Sequence, residues 1–391
     1  MPIPSSRASF AVGSLFAIAT AACGGNSNGE PEPTSNASAS ATVCDGALCP
    51  VLPRLSAHPT ASDNTVPSNG DVNPYGVAFV PAGFPAGGLL HAGDILVSNF
   101  NDSANLQGTG TTVVRVNVDA SPSLFFADSK APGFSTALGV LRAGFVLVGN
   151  VPSADGSGAC TGQQSNIGQG AVLVIDRHGH LANTLSSTSL LDGPWDMAVD
   201  DQGSSAHVFV SNVLKGTVTR VDIGIEGDTD EPRVGVGSEV QIASGYTHRC
   251  DPAALVVGPT GMALDRERDV LFVAATGDNA IFEIAQARET MRDAGMGRVA
   301  VRDATHLHGP VGLVRAENGD LISSQGDAVN ADPNHPSEIV EFTRHGRFIA
   351  QFSIDSSPGS AFGMALVETN DGLRFAAVDD GLNVLDVWNA K

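Results

Sequence analysis

Short runs of alternating or continuous apolar residues, separated by Gly, Pro, Asn and Asp, follow one another from residue 73 to the end of the chain. Runs of this kind predict β-strands joined by tight turns. Residues 285–294 form the only candidate helix, and we expect it to be an insertion between two blades of a sheet structure. The pattern therefore indicates an all-β fold and excludes an alternating α/β architecture.

One unit recurs six times along this part of the chain. Its clearest copy is Gly258-Pro259-Thr260-Gly261-Met262-Ala263, which opens one strand and is followed after a turn by the apolar run 270–275. The central glycine, or Asp196 in its place, falls at positions 76, 139, 196, 261, 312 and 363, a mean spacing of about 57 residues. A third strand follows each pair, at 112–118, 171–176, 217–223, 280–284, 338–342 and 382–387, and a fourth is visible at 123–127 and 348–354. Six units of four strands predict a six-bladed β-propeller over residues 73–391.

The clearest copy also carries a polar run, Thr276-Gly277-Asp278-Asn279, after its second strand. Together these features resemble the NHL repeat, and the resemblance covers about residues 73–388. It implies the propeller fold. Propellers host binding, scaffolding and catalysis alike, so the fold by itself leaves the function open.

The N-terminal region has a different pattern. An apolar run over residues 10–22 follows a single positive charge, Arg7, and is too short to span a bilayer. It ends in Thr20-Ala21-Ala22-Cys23-Gly24, which resembles the lipobox of bacterial lipoproteins. The resemblance implies a signal peptide over residues 1–22, a lipid on Cys23, and an exported protein anchored in the periplasm or at the cell surface; an ordinary secretory signal is the alternative. Residues 23–72, rich in Ser, Ala, Asn, Pro and Thr, predict a flexible tether.

Composition and charge narrow the range of partners. The 45 glycines and 22 prolines in 391 residues fit a fold with many turns. The formal net charge of −21 gives a surface that repels phosphate backbones, which excludes nucleic-acid binding. We expect a monomer that contacts the membrane only through its N-terminal lipid.

Four cysteines remain after Cys23, and an even number in an exported protein predicts two disulfides with three possible pairings. Cys44 and Cys49 are close in sequence, which favours a small local loop. Cys160 and Cys250 would then join two distant loops.

Polar and aromatic residues should converge at one mouth of the central channel. In each blade the innermost strand starts where the second strand ends, because the two strands are antiparallel. Residues just before the first strand and just after the second therefore meet at the same face. They are Asn73, Tyr75, Asn99, Asn101, Asp102, Asn150, Trp195, Asp196, Asn212, Thr276, Asp278, His306, His308, Gln325, Asp327, Phe362, Asp379 and Asp380.

This ring of side chains has three interpretations. In the first, Asn and Asp bond their own backbone, as they commonly do in turns, and only stabilise loops. In the second, Tyr75, Trp195 and Phe362 stack against a sugar, peptide or aromatic ligand, while amides such as Asn99 and Gln325 supply hydrogen bonds. The same aromatic residues could instead be plugs that close the channel.

In the third interpretation the ring holds calcium, which takes about six to eight oxygen ligands. Six-bladed propellers of the gluconolactonase and paraoxonase-like kinds hold such an ion at the channel mouth. That resemblance implies Asn150, Asp196, Asn212 and Asp278 as metal ligands and His308 as the base.

From these interpretations we predict a non-catalytic binding or scaffold module that acts through the channel-mouth face. Its partner would be a protein, a glycan or a small molecule, and calcium is the one cofactor that the sequence suggests. The alternative is a calcium-dependent hydrolase of the lactonase type.

Overall fold

The computed structural model describes residues 49–117, 120–158, 160–161, 164–227, 232–369 and 372–390. The predicted signal peptide, Cys23, Cys44 and the first part of the predicted tether lie outside these residues. The Cys160 side chain is not described either, so the cysteine pairing stays a prediction. In the part of the chain that is described, no helix has the length and apolar character needed to cross a membrane.

The described strands assemble into six antiparallel sheets of four strands each and two inserted two-stranded hairpins. The chain enters through a 3₁₀ turn, Leu52–Arg54, and β1 (Ala61–Asn64). Blade 1 contains β2 (Val72–Phe79), β3 (Ile95–Asn101), β4 (Thr112–Val116) and β5 (Ser123–Ala127). Blade 2 contains β6 (Phe134–Leu141), β7 (Phe145–Asn150), β10 (Val172–Asp176) and β11 (Leu181–Leu185), with the hairpin β8 (Cys160–Thr161) and β9 (Gln164–Ser165) inserted. Blade 3 contains β12 (Pro194–Asp201), β13 (Ser205–Asn212), β14 (Thr217–Glu226) and β15 (Arg233–Ser244).

A second inserted hairpin, β16 (Arg249–Asp251) and β17 (Leu255–Val257), comes before blade 4. Blade 4 contains β18 (Pro259–Asp265), β19 (Val270–Ala275), β20 (Ala280–Ala285) and β21 (Arg298–Val301), with a 3₁₀ turn at Thr276–Asp278. Blade 5 contains β22 (Pro310–Arg315), β23 (Leu321–Gln325), β24 (Glu338–Phe342) and β25 (Phe348–Ser353). Blade 6 contains β26 (Ala361–Thr369), β27 (Gly372–Asp379), β28 (Val384–Ala390) and β1. The prediction of an all-β six-bladed propeller is confirmed.

The ring closes by pairing the two ends of the propeller. β1 is the outermost strand of blade 6 and pairs with β28, with Ala61 opposite Val387. The segment before β1 is also fixed, because the Glu341 carboxylate accepts the N–H groups of Val51 and Leu52 at 2.8 Å each. The folded unit therefore begins before residue 73, where the sequence pattern had placed the end of the tether.

The innermost strands crowd together near their starts, and this explains the repeated glycine. A Cβ on Gly363 would lie 1.8 Å from the carbonyl oxygen of Tyr75 in the next blade. In blade 2 the equivalent residue is Ala137, because the irregularity in β6 runs from Phe134 to Leu138. Gly139 pairs regularly with Leu147. The assignment of Gly139 to the repeat was therefore wrong by two positions.

The expected helix at 285–294 is also wrong. β20 ends at Ala285, and Gln286 adopts the left-handed conformation with φ +54°. The following turn is held by Asp269, whose Oδ1 accepts the Arg288 N–H at 2.9 Å and its Nε–H at 3.0 Å. The Gln286 carbonyl accepts the N–H groups of Glu289 at 3.1 Å and Thr290 at 2.8 Å, so the chain makes one hydrogen-bonded turn here and does not continue as a helix.

The core lies between the blades rather than at one centre. Buried Leu147 and Val174 of blade 2, for example, belong to the same apolar cluster as Val208 and Val210 of blade 3. Each sheet thus buries both of its faces against its neighbours, which leaves loops at the two ends of the channel to carry function.

Candidate functional site

Aromatic residues from three innermost strands meet at the channel mouth. The Tyr75 ring stacks between Phe100, with centroids 4.5 Å apart, and Phe362, with centroids 4.0 Å apart. Trp195 lies 5.8 Å from Tyr75 and 5.5 Å from Phe100 between ring centroids. Tyr75 is 4% exposed and Trp195 is 3% exposed. Because both faces of Tyr75 are covered, that ring is part of a plug and is not available to stack on a ligand.

A cavity of about 290 Å³ lies against this plug. Tyr75, Trp195 and Phe362 line it together with loops from several blades and with the hairpin insertion before blade 4. None of its lining residues is Lys, Arg or His. The remaining lining residues are Asn73, Gln107, Ala253, Ala254, Val256, Val257, Thr260, Thr276, Val311, Gly326, Asp327, Ala328, Pro358, Gly359 and Asp380.

Two aspartates on one side of the cavity are held by the same short segment. Oδ2 of Asp327 accepts the N–H groups of Ser337 at 2.8 Å and of Gly359 at 2.9 Å, and its buried Oδ1 has no hydrogen-bond partner. The N–H of Asp380 donates to the Ser360 carbonyl at 3.0 Å. Burial, reinforced by the nearby charges of Asp379 and Asp355, raises the pKa of Asp380 to about 8. Asp327 and Asp380 are thus neighbours through residues 359 and 360.

Further buried carboxyls lie beside these two. Oδ1 of Asp379 accepts the Leu382 N–H at 3.1 Å, its Oδ2 has no partner, and burial raises its pKa to about 6. Glu338 is fully buried, and neither of its carboxyl oxygens has a hydrogen-bond partner. His308 Nε2 lies 3.5 Å from Glu338 Oε1, and burial raises the pKa of Glu338 to about 7. Blades 5 and 6 therefore present an acidic side to the mouth.

The predicted metal ligands Asn150 and Asn212 are fully used within their own blades. Asn150 donates from Nδ2 to the Pro132 carbonyl at 2.9 Å and accepts the Ala171 N–H at 2.7 Å. Asn212 donates from Nδ2 to the Leu190 carbonyl and accepts the Asp192 N–H, both at 3.0 Å. Each amide fastens the end of a second strand to an adjacent loop, as the turn-stabilising interpretation expects.

The other two predicted metal ligands also have protein partners. The Asp278 carboxylate accepts the Thr247 hydroxyl at 2.7 Å and its N–H at 3.0 Å. Asp196 accepts the N–H groups of Met197 at 2.8 Å and Met262 at 3.2 Å, and burial raises its pKa well above the usual range. Across the described residues, no group of three or more His, Cys, Asp or Glu side chains is arranged to hold a metal ion. The four residues that the resemblance implies as calcium ligands are engaged by other groups of the protein and do not fit that role. Calcium binding itself has not been tested and stays a prediction.

The predicted ligand-binding amides and the predicted base have partners within the protein. Asn99 is buried and donates from Nδ2 to the Thr65 carbonyl and the Thr112 hydroxyl at 3.2 Å each. Gln325 accepts the His308 N–H at 2.8 Å. His308 is 4% exposed, and its Nδ1 contacts the Asn330 carbonyl. Of the predicted ligand-binding residues, Tyr75, Trp195 and Phe362 line the cavity, whereas Asn99 and Gln325 do not, and neither does the predicted base His308.

Sequence reasoning missed the loops that complete the cavity. Gln107 donates from Nε2 to the Ala253 carbonyl at 2.9 Å, which ties a blade 1 loop to the inserted hairpin. Nothing in the repeat pattern distinguishes Gln107, Ala253 or Pro358 from other loop residues. Asp327 and Asp380 were in the predicted ring by position, but the unpaired Oδ1 of Asp327 and the raised pKa of Asp380 become visible only in the folded chain.

Comparisons with known proteins bear on the fold alone. No family model and no curated protein matches this chain, so the NHL likeness stays a resemblance. Among solved structures, a gluconolactonase from Xanthomonas campestris has 13% identity and a TM-score of 0.48, covering 88% of this chain and 100% of that one. The Malassezia sympodialis allergen Mala s 1 has 13% identity and a TM-score of 0.47, covering 84% and 95%. A chain of a nidogen/laminin complex has 9% identity and a TM-score of 0.43, covering 72% and 81%. Likeness at this level carries no argument about activity, and the six-bladed architecture rests on the strand pairing described above.

Proposed function

We propose that this protein is a binding module that takes a small ligand in the channel-mouth cavity. The observation that carries the proposal is the combination of an apolar, aromatic wall with buried polar atoms that lack partners. Oδ1 of Asn73, Nε1 of Trp195 and Oδ1 of Asp327 belong to cavity-lining residues and make no hydrogen bond within the chain. Buried polar atoms are nearly always paired, so an unpaired set beside one cavity favours a ligand or ordered water there.

Binding is favoured over lactonase catalysis by the position of the proposed base. His308 does not line the cavity, and its ring is occupied by the Asn330 carbonyl and the Glu338 carboxyl. A general base must reach the proton that it removes, directly or through one water. The lactonase alternative therefore has no specific contact in its favour.

Export and lipid anchoring complete the proposal. The lipobox-like segment ending at Cys23 supports an envelope location, and replacing Cys23 with Ser should release the protein from the membrane fraction. A Cys160–Cys250 disulfide is supported by the approach of the two loops, because a Cβ on Gly158 would lie 2.1 Å from the Asp251 carbonyl oxygen. Intact-mass analysis before and after reduction should show four thiols appearing if the Cys44–Cys49 bridge also forms.

Filling the cavity tests the binding proposal. A panel of small metabolites would be screened by ligand-detected NMR against the wild type and Ala254→Phe, which places a large ring in the cavity wall. The control is Ala92→Phe, on an exposed residue of the loop between β2 and β3, at the other end of the channel. We expect ligand signals that Ala254→Phe abolishes and Ala92→Phe leaves intact. Signals that survive in a folded Ala254→Phe variant, or no ligand at all from the panel, would overturn the proposal.

A further inference from the structure

The acidic side of the cavity points to a ligand class. We propose that the cavity selects a small organic cation, with its ammonium group placed between Asp327 and Asp380. This inference rests on the proposed binding function and specifies what the same site takes.

The first argument is the lack of a cation near these carboxyls. Two buried carboxylates elsewhere in the described residues, Asp265 and Asp200, are each paired with two arginines. Asp265 meets Arg268 at 2.9 Å and Arg315 at 3.1 Å. Asp200 meets Arg266 at 3.0 Å and Arg288 at 3.6 Å.

At the mouth, by contrast, the charges acting on Asp380 are those of Asp379 and Asp355, both negative. A buried carboxylate without a positive partner is costly, and an added cation relieves that cost.

The second argument is the geometry of the pair. Two backbone N–H groups fix Oδ2 of Asp327 and leave Oδ1 unpaired, while Asp380 is attached through its own N–H to Ser360. Because Gly359 and Ser360 are adjacent, both carboxyl groups border the same end of the cavity. Backbone N–H groups position the Asp327 carboxylate, and a main-chain hydrogen bond fixes the backbone of Asp380, so no flexible cationic side chain has to move before a positive group binds.

The third argument distinguishes an organic cation from a metal ion. The rest of the lining is largely apolar and includes Val256, Val311 and Phe362. A bare metal ion needs a shell of oxygen ligands that this lining does not supply, whereas alkyl groups on nitrogen gain from contact with apolar and aromatic surface. The buried Nε1–H of Trp195 offers a hydrogen bond to a hydroxyl or carbonyl oxygen elsewhere on the ligand.

The cation should compete with a proton. In the free protein burial raises the pKa of Asp380 to about 8, so this carboxyl is mostly neutral at pH 7. The titratable groups that face it are Asp379, Asp355 and the Tyr75 hydroxyl. A permanent cation binds the ionised form better, and its affinity should therefore rise with pH between about 6 and 9.

Choline and its neutral isostere 3,3-dimethylbutan-1-ol test the inference, because they share shape and hydroxyl group and differ in charge. Calorimetric titration of the full chain at pH 8.5 should give choline at least about tenfold tighter binding than the alcohol, the ratio expected for a charge-assisted contact. In Asp327→Asn/Asp380→Asn the ratio should fall to near one. Glu267→Gln, which removes one negative charge from an exposed residue at the opposite end of the channel, should leave it unchanged.

The outcomes separate the two proposals. Equal binding of choline and the alcohol, both blocked by Ala254→Phe, would overturn the cation class and leave the binding site standing. Undiminished choline binding in the double aspartate variant, with its fold verified by thermal melting, would also overturn the cation site. Failure of both compounds, together with an empty metabolite screen, would overturn the binding function itself.

Discussion

The two sides of the channel mouth use similar residues in opposite ways. On the side of blades 2 and 3, Asn150 and Asn212 follow the second strand and have every polar group engaged by neighbouring backbone. On the side of blades 5 and 6, Asp327, Asp379 and Glu338 have buried oxygens that accept no hydrogen bond. Position in the repeat brings polar side chains to the mouth. The hydrogen-bond state of each side chain then separates loop fasteners from groups available to a ligand.

The chemistry of the two side chains explains the difference. A carboxamide carries donors and an acceptor, so Asn150 can join a loop carbonyl, that of Pro132, to a loop N–H, that of Ala171. An ionised carboxylate only accepts and needs several donors to replace its water. Blades 5 and 6 supply two N–H groups to Asp327 and one to Asp379 through the described hydrogen bonds, which leaves acceptor capacity unused.

The largest expected effect on stability comes from removing an asparagine whose side-chain amide is fully hydrogen-bonded to adjacent loops. Asn212→Ala removes hydrogen bonds to the Leu190 carbonyl and the Asp192 N–H in a fully buried position. We expect a loss of about 2–4 kcal/mol in the free energy of unfolding, because the buried partners lose their hydrogen bonds. Chemical denaturation measures it, with Asn334→Ala on an exposed loop as the control. A loss below about 0.5 kcal/mol would show that Asn212 does not fasten the loop.

On the acidic side of the mouth, replacing Asp380 with Asn should stabilise the protein, whereas Asn212→Ala destabilises it. The folded-state pKa of Asp380, about 8, lies above its unfolded value near 4, so unfolding releases a proton between these pH values and stability falls as pH rises through them. Asp380→Asn should remove part of this fall and be more stable than the wild type at pH 8, by roughly 2 kcal/mol, with little difference at pH 4. Thermal melts across pH 4–9 test this.

Asp201 provides the matched contrast. The Asp201 side chain is mostly buried, and desolvation acts against its charged form. Hydrogen bonds from the backbone N–H groups of Arg142 and Gly203 and from the Arg142 side chain outweigh this effect and lower its pKa. Asp201→Asn should therefore lower stability at neutral pH, with an effect that disappears as pH falls below the unfolded pKa near 4. If Asp380→Asn and Asp201→Asn changed stability in the same direction at pH 8, the contrast between the two kinds of carboxyl would be wrong.

The sequence predicts the blades better than their boundaries. Close approach of the innermost strands demands glycine at positions such as Gly363, and that steric demand makes the repeat readable. β1 has no such signature, because Ala61–Asn64 is a short, mostly polar edge strand whose place depends on pairing with the far end of the chain. Ala137 escaped notice because its blade accommodates an extra residue before the regular pairing resumes.

The sequence predicts where the residues of the candidate site lie, but it does not predict their hydrogen bonds or their pKa values. Antiparallel pairing alone places Asp327 and Asp380 at the mouth. The unpaired Oδ1 of Asp327 and the raised pKa of Asp380 depend on how loops from different blades pack around them, including the Gly359 N–H on Asp327 and the nearby charges of Asp379 and Asp355 on Asp380. Such contacts join loops from different blades, and no local pattern in the chain encodes them.

The smallest expected effect is that of calcium on the melting temperature, through the side of the mouth formed by blades 2 and 3. To ligate an ion, Asn150 and Asn212 would have to give up the backbone N–H groups that their oxygens accept, at 2.7 Å and 3.0 Å. If calcium bound the folded protein, a concentration about a hundred times the dissociation constant would add about 2.7 kcal/mol to the free energy of unfolding. We expect no such stabilisation, so the melting temperatures with excess calcium and with EDTA should agree within about 1 °C. A calcium-dependent rise of several degrees in the melting temperature, removed by Asn150→Ala and accompanied by lactone hydrolysis, would mean that Asn150 and Asn212 give up these hydrogen bonds to bind a metal ion. In that case the difference between the two sides of the mouth would lie in the ligand each side takes, since both would bind one.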